Sequence, residues 1–207
     1  TGMMKAYNNF VNDFLYPDIN NLLVFLENHD TGRFNEIYDQ NLDNYKLGLT
    51  LIATTRGIPQ LYYGSEIGMR GDKGKGDGDI RRDFPGGWEG DAQNAFEAAS
   101  RTQQQEAFFS FTKKLMNWRK TAKAVHQGSL TQFIPENDVY VYFRILGDEK
   151  IMVVLNNSSS DQTLDLGRFR EVLPEAGNGL EILSESAIKL EETLEVLAKT
   201  PLIIQLN

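Results

Sequence analysis

Two short apolar runs separated by a helical pattern constrain this chain most. Asn21 to Phe25 (NLLVF) and Gln60 to Tyr63 (QLYY) do not alternate with polar residues, so they read as strands buried on both faces. Between them, Asp43 stands near a helix start, Leu47, Leu51 and Ile52 share a face, and Gly57 and Pro59 end the pattern. Strand, helix and strand within about forty residues make a βαβ unit, whose strands are parallel. Parallel strands need helical cover, and ligand sites in such folds open beyond the strands' carboxyl ends. Directly after the first run stand Glu27, Asn28, His29 and Asp30, a polar cluster where chemistry is expected.

The flanking sequence extends this reading. Residues 3–16 have helical periodicity and stop at Pro17, and residues 68–90 hold many glycines and charges. A connection that long is functional or disordered. Thr102 and Gln105 have the spacing of a capping box, and Phe108, Phe111, Leu115 and Trp118 form a helical core stripe. After Gly128 the pattern alternates: Val139, Val141, Phe143 and Ile145 against Tyr140, Tyr142 and Arg144. A turn at Gly147-Asp148 leads into 150–155, which predicts a β-hairpin, with weaker strands at 162–166, 180–183 and 202–206. The expected organisation is an α/β portion over residues 1–125 and a small antiparallel β-sandwich domain over 126–207.

Composition narrows the function classes. The net charge of −8 disfavours nucleic acid and anionic membranes as partners. No apolar run is long enough for a transmembrane helix, and the start of the chain does not read as a signal peptide. With no cysteine and only two histidines, far apart, thiolate or histidine-rich metal sites are not expected. The acidic stretch Asp72, Asp77, Asp79 and Asp83 raises calcium as a cofactor, but it lacks the EF-hand spacing and carries Lys73, Lys75, Arg81 and Arg82. Calcium is therefore not favoured, and the expectation is no cofactor.

Two motifs then carry a family resemblance. F-x-x-N-H-D (Phe25, Asn28, His29, Asp30) resembles the fourth conserved region of the α-amylase superfamily, at the end of the seventh barrel strand. G-x-P-x-x-Y-Y-G-x-E (Gly57, Pro59, Tyr62, Tyr63, Gly64, Glu66) is similar to the segment around the eighth strand. NHDTGRF and DFPGGW (83–88) resemble the neopullulanase and cyclomaltodextrinase branch, in particular its periplasmic starch-processing members. The resemblance implies the last part of a (β/α)8 TIM barrel, its seventh and eighth strands with their helices, followed by a small all-β C-terminal domain. It implies a retaining glycoside hydrolase acting on α-glucan oligosaccharides in the periplasm or outside the cell. It also implies that the nucleophile and general acid, which come from earlier strands, lie outside this chain, so that the chain alone is expected to be inactive.

By the same resemblance Asp30 is the third catalytic acid, the one that stabilises the transition state. His29, Arg33 and Trp88 are the expected substrate-binding residues, with no metal ligand. Arg33 has two open uses, reaching sugar hydroxyls or pinning a neighbouring carboxylate. Trp88 offers a face for sugar stacking or for loop packing. Asn28 is expected to buttress the turn and Glu66 to anchor loops. Glu27 stands where relatives commonly carry an aspartate and is free to face solvent. One of Tyr62 and Tyr63 is expected to point inward while the other points outward. A second reading makes the chain a non-catalytic structural or carbohydrate-binding β module. A third, an independent doubly wound domain, would need a phosphate-binding glycine loop after a strand, which GSEIG and GKGDGD do not supply. Barrel strands without their neighbours also predict self-association.

Overall fold

The predicted parallel pair exists but is short. The computed structural model describes residues 2–173 and 177–206. Helix α1 (Gly2–Phe10) runs on into a tighter helical turn, Val11–Leu15, ahead of Pro17. Strand β1 is only Leu23–Val24, followed by a helical turn α2 (Phe34–Ile37) and helix α3 (Leu42–Thr54). Asn41 caps α3 by accepting from the Asn44 amide at 2.9 Å. Strand β2 is Ile58–Pro59, parallel to β1 with Leu23 opposite Ile58. It therefore precedes the predicted 60–63.

Gly57 explains the shift. Its φ of +93° turns the chain straight from α3 into the pairing, and a Cβ there would lie 2.4 Å from Leu22 O. Ile58 N–H then donates to Leu22 O and Gln60 N–H to Val24 O, both at 2.8 Å. The expected burial on both faces is also corrected. Val24 and Leu26 pack on the core, whereas Leu23 (56% exposed) and Ile58 (51%) look outward with Phe25. Alternate residues of a strand point to opposite faces, and the helices here cover one of them.

Residues 68–90 are not a structureless loop. They contain a tight turn at Lys73–Lys75 and the short helix α4 (Asp77–Ile80), anchored by fully buried Ile80. Helix α5 (Gln103–Arg119) begins with the predicted capping box, both halves formed: Gln105 N to Thr102 Oγ1 at 3.2 Å and Thr102 N to Gln105 Oε1 at 2.8 Å. Phe108 and Leu115 are fully buried on its stripe, with Phe111 and Trp118 packed beside them. The short helix α6 (Lys123–Gln127) leads into the β unit.

That unit has β3 (Ser129–Gln132), β4 (Val139–Leu146), β5 (Glu149–Asn156), β6 (Gln162–Asp165), β7 (Gly177–Glu181), β8 (Ser186–Leu190), β9 (Thr193–Val196) and β10 (Thr200–Leu206). Six strands form one antiparallel sheet in the order β3-β4-β5-β10-β7-β8, and β6 and β9 form a second, smaller one. The β4–β5 hairpin is as predicted. Strands β3, β8 and β9 were not anticipated, and β7 begins earlier than expected. The alternation along β4 does not separate core from solvent, because both of its faces are buried. Tyr140 and Tyr142 join Ile151, Val153 and Ile203 against the helices, while Val139, Val141 and Phe143 meet Leu166, Phe169 and Leu194 on the other side. The buried Tyr142 hydroxyl meets Thr54 Oγ1 of α3 at 2.5 Å. One apolar core thus runs from the helices into the large sheet.

Candidate active site

The polar cluster after β1 is held as a compact turn. Asn28 Oδ1 accepts from Asp30 N at 2.8 Å, and Asn28 N–H donates to Thr31 Oγ1 at 3.0 Å, so Asn28 supports the turn. The turn presents His29 and Asp30 outward, with side chains 60% and 63% exposed and His29 Nε2 at 3.2 Å from Asp30 Oδ2. A third group completes the arrangement. Arg81, at the end of α4, places Nη2 at 3.0 Å from Asp30 Oδ1 and 2.8 Å from Asp77 Oδ2, and its Nε donates to His29 O at 2.9 Å. The result is an accessible carboxylate gripped on one side by an imidazole and on the other by a guanidinium. Sequence reasoning did not assign Arg81 to the site. The available signal was its i,i+4 spacing from Asp77, which predicts a helical turn with a paired cation.

Beneath the turn lies a buried ionic layer. Glu27, which the sequence left free to face solvent, is 2% exposed and accepts from Ser65 Oγ, from the Phe34 amide and from Arg33 Nη1, the last at 3.4 Å. Burying a carboxylate requires such partners; two come from the next turn of chain and the third, Ser65, from 38 residues on. Arg33, expected among the substrate contacts, is fully buried and exposes no surface to a ligand here. Of its two open uses the structure shows the second. Its Nε donates to Ile80 O at 3.0 Å and Nη1 to Tyr63 O at 2.5 Å, while Nη2 has no hydrogen-bond partner among the described residues. Its guanidinium lies 4.1 Å from the Tyr62 ring centre and 4.9 Å from that of Tyr63. The two tyrosines therefore do not diverge inward and outward. β2 ends before them, and their rings meet edge to face at 4.6 Å over one cation.

The remaining residues sit around this layer. Burial pushes the Glu66 carboxyl above its usual range, and Glu66 shares a cavity of about 450 Å³ with Tyr62, Tyr63, Phe109 and Lys113. Tyr63 Oη donates to Arg82 O at 2.8 Å, joining the strand end to the 77–90 segment. In that segment Asp91 Oδ2 accepts from Gly86 N and Trp88 N, at 2.8 and 3.2 Å, and leaves the Trp88 indole 67% exposed. No hydrogen bond joins Trp88 to the His29–Asp30 pair among the described residues. Lys73 and Arg81 hold Asp77 below the usual carboxylate range, while the Asp72 amide and Arg82 do the same for Asp79. Among the described residues no group of three or more His, Asp or Glu side chains is placed to hold a metal ion.

A parallel β/α pair with an exposed histidine–aspartate turn at its carboxyl end, followed by an antiparallel β unit, is an α/β fold with a trailing β domain. Residues 3–141 match the family model described as "Alpha amylase, catalytic domain", and residues 130–205 match "Cyclo-malto-dextrinase C-terminal domain". A cyclomaltodextrinase from Thermoanaerobacter pseudethanolicus is 32% identical over 79% of this chain and 27% of its own length. An α-amylase from Niallia circulans is 28% identical over 84% of this chain and 31% of its own. In shape, an Anoxybacillus α-amylase superposes with a TM-score of 0.76 at 26% identity, over 97% of this chain and 41% of that one. The α-amylase of Geobacillus thermoleovorans, solved with acarbose, gives a TM-score of 0.77 at 24% identity, over 97% of this chain and 42% of that one. The chain belongs to the α-amylase family. It spans between a quarter and a third of the length of these two curated relatives.

Proposed function

We propose that this chain forms the C-terminal portion of a retaining glycoside hydrolase that cleaves α-glucosidic bonds in starch-derived oligosaccharides. The exposed His29–Asp30 pair carries the reading, because it lies on the turn beyond a parallel strand's carboxyl end, within the stretch matched by the catalytic-domain model. In a retaining mechanism one carboxylate attacks the anomeric carbon and another protonates the leaving oxygen. Those two groups are assigned to elements outside this chain. Asp30 is assigned the supporting role: its free lone pairs accept from sugar hydroxyls beside the cleaved bond. A fixed carboxylate near the developing oxocarbenium charge contributes several kcal/mol. His29 donates to the same sugar, and exposed Trp88 offers a stacking face for a neighbouring unit. The match of residues 130–205 supports the neopullulanase and cyclomaltodextrinase branch as the finer assignment. A carbohydrate-binding β module has less support, since Tyr140, Tyr142 and Phe143 are all buried.

The test is Asp30→Asn in the complete enzyme, with hydrolysis of maltooligosaccharides measured beside the melting temperature. Turnover is expected to fall by orders of magnitude with the fold intact. A loss below about tenfold, ~1.4 kcal/mol, would show that Asp30 has been misassigned.

A further inference from the structure

We propose that Glu27 is a positioning residue that sets the reactive geometry of the His29–Asp30 turn by closing the base of its loop. The inference rests on the hydrolase reading above but stands on separate observations. The Glu27 carboxylate accepts from the Phe34 amide, so a side chain at one end of the loop is bound to the backbone at the other end. Residues 28–33 lie inside the ring so formed. Within it, Asn28 ties Asp30 N and Thr31 Oγ1, and Arg33 N–H donates to Gly71 O at 2.9 Å.

The other partners of Glu27 fix the ring to the rest of the site. Ser65 Oγ lies within reach of both Glu27 and Tyr62 O, but its single proton favours the charged acceptor. That bond ties the end of β1 to the segment after β2. Arg33 connects the carboxylate to Ile80 O, and Ile80 directly precedes Arg81, the residue on Asp30. Leu26, just before Glu27, and Phe34, whose amide closes the ring, both rest on Gly48 of α3, where a Cβ would lie 3.1 Å from each. Both arms of the Asp30 carboxylate's surroundings, the turn and Arg81, therefore refer back to one buried carboxylate. Glu27 is 2% exposed and so is shielded from solvent. It acts through the backbone that carries Asp30, and a misplacement on the scale of an ångström there is costly to catalysis.

Two measurements test this. In the 207-residue chain, Glu27→Gln presents an amide N–H2 to groups that are themselves donors. Amide exchange at Asn28, Asp30 and Thr31 is expected to quicken at least tenfold, with the β4–β5 hairpin unchanged. In the complete enzyme the same variant is expected to lower kcat at least tenfold with KM within threefold, and Glu27→Asp to recover part of the loss. Ser65→Ala, which removes one donor and keeps the carboxylate, shifts both readouts the same way by less. Unaltered loop exchange overturns the proposal, as does quickened exchange with kcat within twofold, or a loss confined to KM. Asp30→Asn in the same enzyme separates the two readings. If it leaves activity intact the role assigned to Asp30 fails, and if the unsubstituted complete enzyme hydrolyses no α-glucan the hydrolase reading fails, while the exchange result still decides whether Glu27 closes the loop.

Discussion

Replacing Arg33 with lysine distinguishes a buried tie from a substrate contact. Lysine keeps the positive charge beside Glu27 but loses the planar fork that donates in two directions. Ile80 O and Tyr63 O, which receive Nε and Nη1 at 3.0 and 2.5 Å, then share one ammonium. Losing one hydrogen bond to a charged donor costs about 1.5–3 kcal/mol. The flat contact with Tyr62 and Tyr63, at 4.1 and 4.9 Å, is also weakened, which adds roughly 1 kcal/mol for a desolvated pair of rings. The total is about 3 kcal/mol. For a domain of this size each kcal/mol moves the midpoint by about 2–4 °C, so Arg33→Lys is expected to lower Tm by roughly 6–12 °C. Calorimetry on this chain measures that drop, and kinetics on the complete enzyme should show kcat falling more than KM rises. An unchanged Tm with KM raised tenfold would refute the reasoning and restore Arg33 as a sugar contact.

Two further outcomes follow from burial. The raised carboxyl of Glu66 favours its protonated form in the fold, so its contribution to stability is present at acid pH and is lost as pH rises through its folded-state value. Glu66→Gln should therefore match the parent's Tm near pH 4 and exceed it near pH 8, and a difference that does not vary with pH would contradict the assignment. Strands β1 and β2 are two residues each with an exposed face, whereas β4 and β5 are buried on both faces. Amide exchange should thus be faster over residues 20–65 than in the 139–155 hairpin, or protection in the first region should fall on dilution if copies associate there. Uniform strong protection in a dilute monomer would show the β/α portion to be self-sufficient.

Much of this molecule was legible along the chain because it depends on near neighbours. The capping box at Thr102 and Gln105, the stripe from Phe108 to Leu115, the β4–β5 hairpin and the Asn28 turn all join residues a few positions apart, where spacing alone places the groups. The parallel order of the strands and the polar cluster after the first of them followed from the same local patterns. What the sequence could not settle was decided by partners distant in the chain. Glu27 is buried because Ser65, 38 residues on, donates to its carboxylate, and Arg33 turns inward because Ile80 and Tyr63 offer carbonyls there. Arg81 reaches Asp30 across 51 residues. Strand β4 buries both faces because helices lie on one side and a second sheet on the other. In each case the isolated residue has two reasonable environments, solvent or core. Desolvation decides between them only once the tertiary fold brings up the hydrogen-bond partners that offset its cost.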